Sequence, residues 1–152
     1  MSELIFDSRT PRHDLPYLFA GQAQKEGFVN EALARIDALL HMVVEAVAGS
    51  PPEAPADGDS WLIAEGATGD WSGRDGMIAT AAGGNWLFFA PRTGMRVLNR
   101  TTGQDIRFVD GWQIPIAPDQ PAGGGTVDAE SRTAIAAIIA VLAQAGLLAS
   151  AA

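Results

Sequence analysis

The chain contains no cysteine and a single lysine, Lys25. The first absence excludes disulfides, thiolate catalysis and Cys-ligated metal sites, and it leaves the redox compartment open. The second thins an already small set of cations: ten basic residues are spread over 152 positions against 18 acidic ones, for a net charge of −8. A surface that tracks phosphates needs clustered cations, so nucleic acid is not an expected partner. Adhesion to an anionic membrane is disfavoured on the same ground. Histidine is scarce too, with only His13 and His41, and no nucleophile is arranged with either in a Ser-His-Asp pattern. Gly123-Gly124-Gly125 runs into Thr126-Val127 without the lysine of a phosphate-cradling loop. The N-terminus lacks a basic region followed by an apolar run, so no signal peptide is expected. No catalytic residue, metal site or cofactor is expected.

What the chain does contain is 47% apolar and only 18% charged residues, enough to fold around one ordinary core. The expected fold class is α+β. Residues 1–29 read as an extended arm, since Pro11 and Pro16 forbid a regular helix there. A helix is expected over 30–48, with Asn30 as N-cap and Glu31 at the positive end of the dipole. Leu33, Ile36, Leu40, Val43 and Val47 recur along it at spacings of three and four. That seam suits packing on the chain's own domain, and it also fits heptad positions facing another copy.

Residues 51–115 read as a small antiparallel β domain of about six short strands, divided by turns such as Gly83-Gly84-Asn85 and Asp110-Gly111. A Pro/Gly linker over 116–127 leads to a final helix over 128–149, capped by Asp128 and free of charge after Arg132. A membrane span is set aside, because the uncharged run is Ala-rich, short for a ~30 Å hydrocarbon core and without a basic flank. The expected setting is burial on most sides within an assembly.

The four tryptophans each follow a turn. Trp61, Trp86 and Trp112 read as core fillers of a thin sheet. Trp71, in a Gly-rich loop beside Asp70 and near Arg74, is a candidate face for stacking on a sugar ring. Asp57, Asp59, Asp70 and Asp75 are the acids of the same region. They offer a hydrolase or a hard-cation reading, but each also sits where a turn wants a carboxylate for its backbone amides.

The blocks Leu15-Pro-Tyr-Leu-Phe-Ala-Gly-Gln-Ala-Gln-Lys-Glu26 and Asn30-Glu-Ala-Leu-Ala-Arg-Ile-Asp-Ala-Leu39 are followed, in order, by Pro51-Pro52-Glu-Ala-Pro-Ala-Asp-Gly-Asp-Ser-Trp61, Gly66-Ala-Thr-Gly-Asp-Trp71, Gly73-Arg-Asp-Gly-Met-Ile-Ala79, Gly84-Asn-Trp86 and Pro91-Arg-Thr-Gly94. Together they resemble a family of uncharacterised function encoded in prophages and gene-transfer-agent clusters of alphaproteobacteria. The stretch from Asp128 to Ala149 is similar to a helix at the ends of phage decoration and fibre proteins, with Gln144 where those carry basic residues.

The resemblance implies a virion component assembled in the bacterial cytoplasm: a head-spike or fibre-base subunit, homo-oligomeric as trimer or pentamer. It would bind a capsid or tail protein and a fibre protein. It implies no enzymatic residues. The expected assembly interface comprises Gln22, Gln24, Lys25, Glu26 and Asn30 in the lead-in, with Leu33, Ile36 and Leu40 on the first helix. Ile135, Ile138, Ile139 and Leu142 complete it on the last helix. Recognition of host surface polysaccharide through Trp71, Asp70 and Arg74 is the alternative reading, and an envelope-degrading hydrolase the third.

Overall fold

The computed structural model describes residues 9–13, 15–18 and 26–149. The element order is helix α1 (Glu26–Leu39), strands β1 (Val43–Val44), β2 (Val47–Ala48) and β3 (Ser60–Ile63), then β4 (Ile78–Ala82), β5 (Asn85–Phe89), β6 (Arg96–Asn99), β7 (Gln104–Phe108) and β8 (Trp112–Gln113), and helix α2 (Ala129–Gln144). One sheet has the order β1-β6-β7-β8 and the other β2-β3-β4-β5. The fold is α+β, and its two sheets are mostly antiparallel. The six expected strands correspond to β3 to β8.

The expected helix over 30–48 is corrected at both ends. It starts a turn earlier, and it stops at Leu39, where His41 adopts a left-handed φ of 45°. Val43 and Val47 therefore leave the helical seam and enter strands. β1 pairs in parallel with β6 and β2 in parallel with β3. The switch falls between neighbouring residues: Val44 O accepts from Arg100 N at 2.9 Å, while Glu45 N donates to Ser60 O at 2.7 Å. One short segment, bent at Glu45, thus joins the two sheets. β-Branched valines suit this pleated setting better than a helix interior.

Alternation along the strands sorts side chains into two cores. Leu62, Ile78, Leu87 and Phe89 face inward with Val97, Ile106, Val44, Ala34 and Ala38. The opposite face of the second sheet carries Trp61, Ile63, Ala79 and Ala81, and Trp71 from a single 3-10 turn (Gly69–Trp71) closes over them. The β4–β5 hairpin turns on Gly83 and Gly84, with φ of 55° and 73°. Positive φ at both positions is what a two-residue turn matched to strand twist requires.

Of the expected arm over 1–29, residues 1–8, 14 and 19–25 lie outside the described residues, and the part around residues 9–18 forms a hooked strap. Arg9 and Pro16 form an antiparallel bridge around a turn at residues 11–13. Asp37, 2% exposed, holds the strap from α1. Its carboxylate accepts from Thr10 Oγ1 at 2.6 Å, His13 N at 2.7 Å and Arg12 N at 3.1 Å. The Arg12 guanidinium donates to the carbonyls of Asp37, Ala38 and His41 at 3.1, 2.7 and 2.7 Å. The last turn of α1 has no basic residue of its own, so Arg12 both satisfies its free carbonyls and meets its negative dipole end. Gly58 lets the strap lie close: a Cβ there would fall 2.8 Å from Pro11 Cγ.

Asp37→Ala should cost about 3 kcal/mol in urea denaturation, because it strips a buried charged acceptor from three donors at once. Thr10→Val should cost less, about 1–2 kcal/mol: Asp37 keeps its two backbone donors, while Leu15 N loses its 3.0 Å bond to the Thr10 hydroxyl.

Candidate assembly surfaces

α1 meets the core with a stripe other than the one that carries most of its apolar seam. Its buried face is small and polar: Asn30 at 6% exposure, Ala34, Asp37 and Ala38, with Leu33 half-buried against the core. Its outer face is large and apolar: Phe28 is 81% exposed, Ile36 49%, Leu39 43%, Leu40 42% and Val29 37%. Small residues inside allow the helix to sit close to the sheets, and Asn30 and Asp37 are needed there to grip the arm.

Asn30 is not an N-cap. It lies a turn inside α1, and its amide clasps the backbone of Leu18, accepting from the N–H at 2.7 Å and donating to the C=O at 2.9 Å. Of the expected interface residues, Ile36 and Leu40 are exposed, whereas Asn30 and Leu33 are turned inward. Gln22, Gln24 and Lys25 lie outside the described residues, and Glu26 opens α1. The sequence signal for this core face was the pair Asn30 and Asp37, seven residues apart on one stripe. Phe28 and Leu39, both strongly exposed, were not among the expected interface residues.

α2 spans Ala129–Gln144, shorter than the expected 128–149, and none of its described side chains is buried. Asp128 caps it, accepting from Ser131 N at 2.9 Å and Ser131 Oγ at 2.7 Å. These bonds hold the Asp128 carboxyl below its usual pKa. Gly146, with φ of 72°, ends the helix against the first sheet, where its carbonyl accepts from Asp105 N at 2.7 Å. Ile135 is 39%, Ile138 58% and Val141 61% exposed, and Ile139 and Leu142 are half-buried. Among the described residues no helix is long and apolar enough to cross a membrane.

The glycan residues are not arranged to meet a sugar. Trp71, the candidate face for stacking on a sugar ring, is 0% exposed. It packs edge-on against Trp86 with ring centroids 5.2 Å apart, and 6.2 Å from Trp61. Burial on this scale suits a thin sheet that needs large side chains over its second face. Its Nε1 has no hydrogen-bond partner among the described residues. Arg74 stacks on Phe88, with its guanidinium carbon 4.2 Å from the ring centroid, and Asp70 is exposed on the 3-10 turn.

The other acids serve turns. Asp75 accepts from Gly66 N and Ala67 N, Asp57 from Gly83 N, and Asp59 from Ala56 N. Among the described residues no group of three or more acids or histidines is placed to hold a metal ion.

Between the strap, α1 and the β4–β5 turn lies a cavity of about 150 Å³, lined in part by Tyr17, Asp37 and Asp57. Burial first, and then the charges of Asp37 and Asp57, raise the Tyr17 phenol from 10.0 to about 12.

These features define a two-sheet α+β domain with an arm strapped across it, an outward apolar helix face and a projecting second helix. The chain belongs to the family described as protein of unknown function (DUF2793), whose model matches residues 29–113. The match covers more than half of the chain, from α1 to β8, and leaves the arm and α2 on either side. No match to a curated protein was found.

Two outcomes test this arrangement. Trp71→Ala should destabilise the fold by about 3–5 kcal/mol in thermal or urea unfolding, the cost of emptying a filled aromatic core. A surface residue would lose almost nothing. Tyr17 is the single tyrosine, so phenolate absorbance follows it alone. A raised folded pKa means that its stabilisation is complete below pH 10 and is lost as pH rises towards 12. Folded protein should therefore show the phenolate only near pH 12, and Tyr17→Phe should remove that part of the alkaline instability.

Proposed function

We propose that this chain is a structural subunit of a phage-like particle or gene transfer agent, placed at the base of a head spike or fibre. The observation that carries the reading is the outward apolar face of α1. A helix that buries alanine, asparagine and aspartate while exposing Phe28, Ile36 and Leu39 has its larger hydrophobic gain still to make. Covering each such side chain stabilises by roughly 1 kcal/mol or more. α2 adds to this, since Ile135, Ile138 and Val141 are open to a partner. The resemblance to prophage and gene-transfer-agent proteins supplies the setting.

In this reading copies associate through α2 and the outer face of α1. The strap fixes the geometry of α1, and a capsid or tail protein and a fibre protein are the further partners. Contact with host polysaccharide then belongs to the fibre, because burial of Trp71 removes the residue that motivated direct glycan binding. Of the aspartates that suggested a hydrolase, Asp57, Asp59 and Asp75 are bonded to turn amides and Asp70 stands apart from them, exposed, so no hydrolytic role is proposed.

Light scattering after size exclusion should give an oligomer of fixed stoichiometry, and Ile138→Glu should dissociate it while tryptophan emission stays unchanged. Particles from a strain lacking the gene should have lost a spike or fibre seen by electron microscopy. A monomer at high concentration, together with unaltered particles, would sink the proposal.

A further inference from the structure

The basic residues are few, but they are not evenly spread. Between residues 92 and 107 stand four arginines, at 92, 96, 100 and 107, against one aspartate, Asp105. Arg100 is paired with Glu45 at 2.8 Å. Arg96 and Arg107 are different. They are direct cross-strand partners in the β6–β7 ladder, and both are exposed on the outer face of the first sheet.

The rung is also a close one. Phe108 N donates to Met95 O at 2.9 Å, which makes 95/108 a hydrogen-bonded rung and 96/107 its non-hydrogen-bonded neighbour. In such rungs the side chains approach most closely. Like charges set opposite one another in this way destabilise a sheet. Among the described residues neither guanidinium has a hydrogen-bond or ion-pair partner. A chain with 18 acids places two unneutralised arginines side by side.

The pair opens on a groove of about 380 Å³ between the sheet and the end of α2. Its far wall is aliphatic, made by Pro115, Leu142 and Leu147. Asp105 lies in the same groove but forms no ion pair with either arginine. We propose that this groove binds an acidic segment of a partner protein. A glutamate or aspartate carboxylate would sit between the two guanidiniums, and an aliphatic side chain would lie on the α2 wall.

Two forks meeting one carboxylate give charge-assisted bonds to both of its oxygens, and the anion also relieves the repulsion of the rung. An extended peptide turns residues i and i+2 to one side, so an acid and a leucine two apart would reach both halves of the groove. A uronic-acid polymer could supply the carboxylate. However, sugar rings stack on flat aromatic faces, and none of the groove's lining residues is aromatic. The inference is independent of the proposed function: it concerns a partner's acidic segment, whatever assembly that partner belongs to.

The test uses the full chain and a fluorescent, acetylated and amidated peptide with glutamate and leucine two residues apart in a Ser/Gly background. Its glutamine counterpart and polygalacturonate serve as comparison ligands. Fluorescence anisotropy should show binding of the glutamate peptide that weakens as salt rises and that exceeds the glutamine form at least about tenfold. Arg107→Gln and Arg96→Gln should each weaken it about tenfold or more, and Asp105→Asn should strengthen it.

A second readout needs no ligand. At low salt Arg107→Gln should melt no lower than the wild type, since it removes a like-charge rung. Equal binding of the glutamate and glutamine peptides would overturn the proposal, as would tighter binding of polygalacturonate. A clear fall in melting temperature for Arg107→Gln would overturn it too, by showing that the arginine already has a partner within the fold.

Discussion

Everything in this fold depends on residues 42–48, a bent segment whose two short strands, β1 and β2, join different sheets. Met42 O and Val44 O accept from β6 and the residue after it, while Glu45 N, Ala46 O and Ala48 O pair with β3 and the residue following it. Each sheet is otherwise a simple antiparallel meander. Parallel pairing at this point aligns both meanders over one core, with Val44 fully buried at the crossing. The segment must therefore leave the helix early, and Arg12 serves that end: it binds the carbonyls at the end of α1 just before the chain turns through His41. A residue from the arm thus helps to set where the helix stops.

That linkage explains why the expected helix ran too far. Val43 and Val47 continue the spacing of Leu33, Ile36 and Leu40, so periodicity alone carries the helix past its true end. What overrides it is non-local: backbone partners 15 residues away on β3 and 55 away on β6, and a cap from residue 12. Neither leaves a local mark. The six later strands were legible because each is bounded by its own turn chemistry, with glycines at positive φ in the β4–β5 hairpin and aspartates bonded to loop amides.

The candidate surfaces were legible in kind more than in residue. Ile36, Leu40, Ile135 and Ile138 are outward apolar residues, as a partner-seeking helix needs. Leu33 and Asn30 were expected beside them and are not, since a seam assigned by spacing alone has no sign: it says which residues share a face, and not which face meets the core. The deciding feature was chemical. Asp37 on the opposite stripe can be buried only if donors come to it, and Thr10, Arg12 and His13 are those donors. Once the arm is held there, the core face of α1 is fixed and the larger apolar side chains must point away.

The same logic separates Trp71 from the arginine pair. An indole in a glycine-rich loop looks exposed when only its neighbours in sequence are considered, yet three tryptophans on one sheet face gain more from packing together than from waiting for a ligand. Arg96 and Arg107 show the converse. Eleven residues apart and unremarkable singly, they become a feature only when the β6–β7 register sets them opposite each other. Packing offers a guanidinium at an exposed rung nothing that would explain the pairing, and the sheet is the less stable for it. A cost that the fold does not recover within its described contacts is better read as a binding preparation than as a structural one, and it points to an anion that arrives from outside the domain.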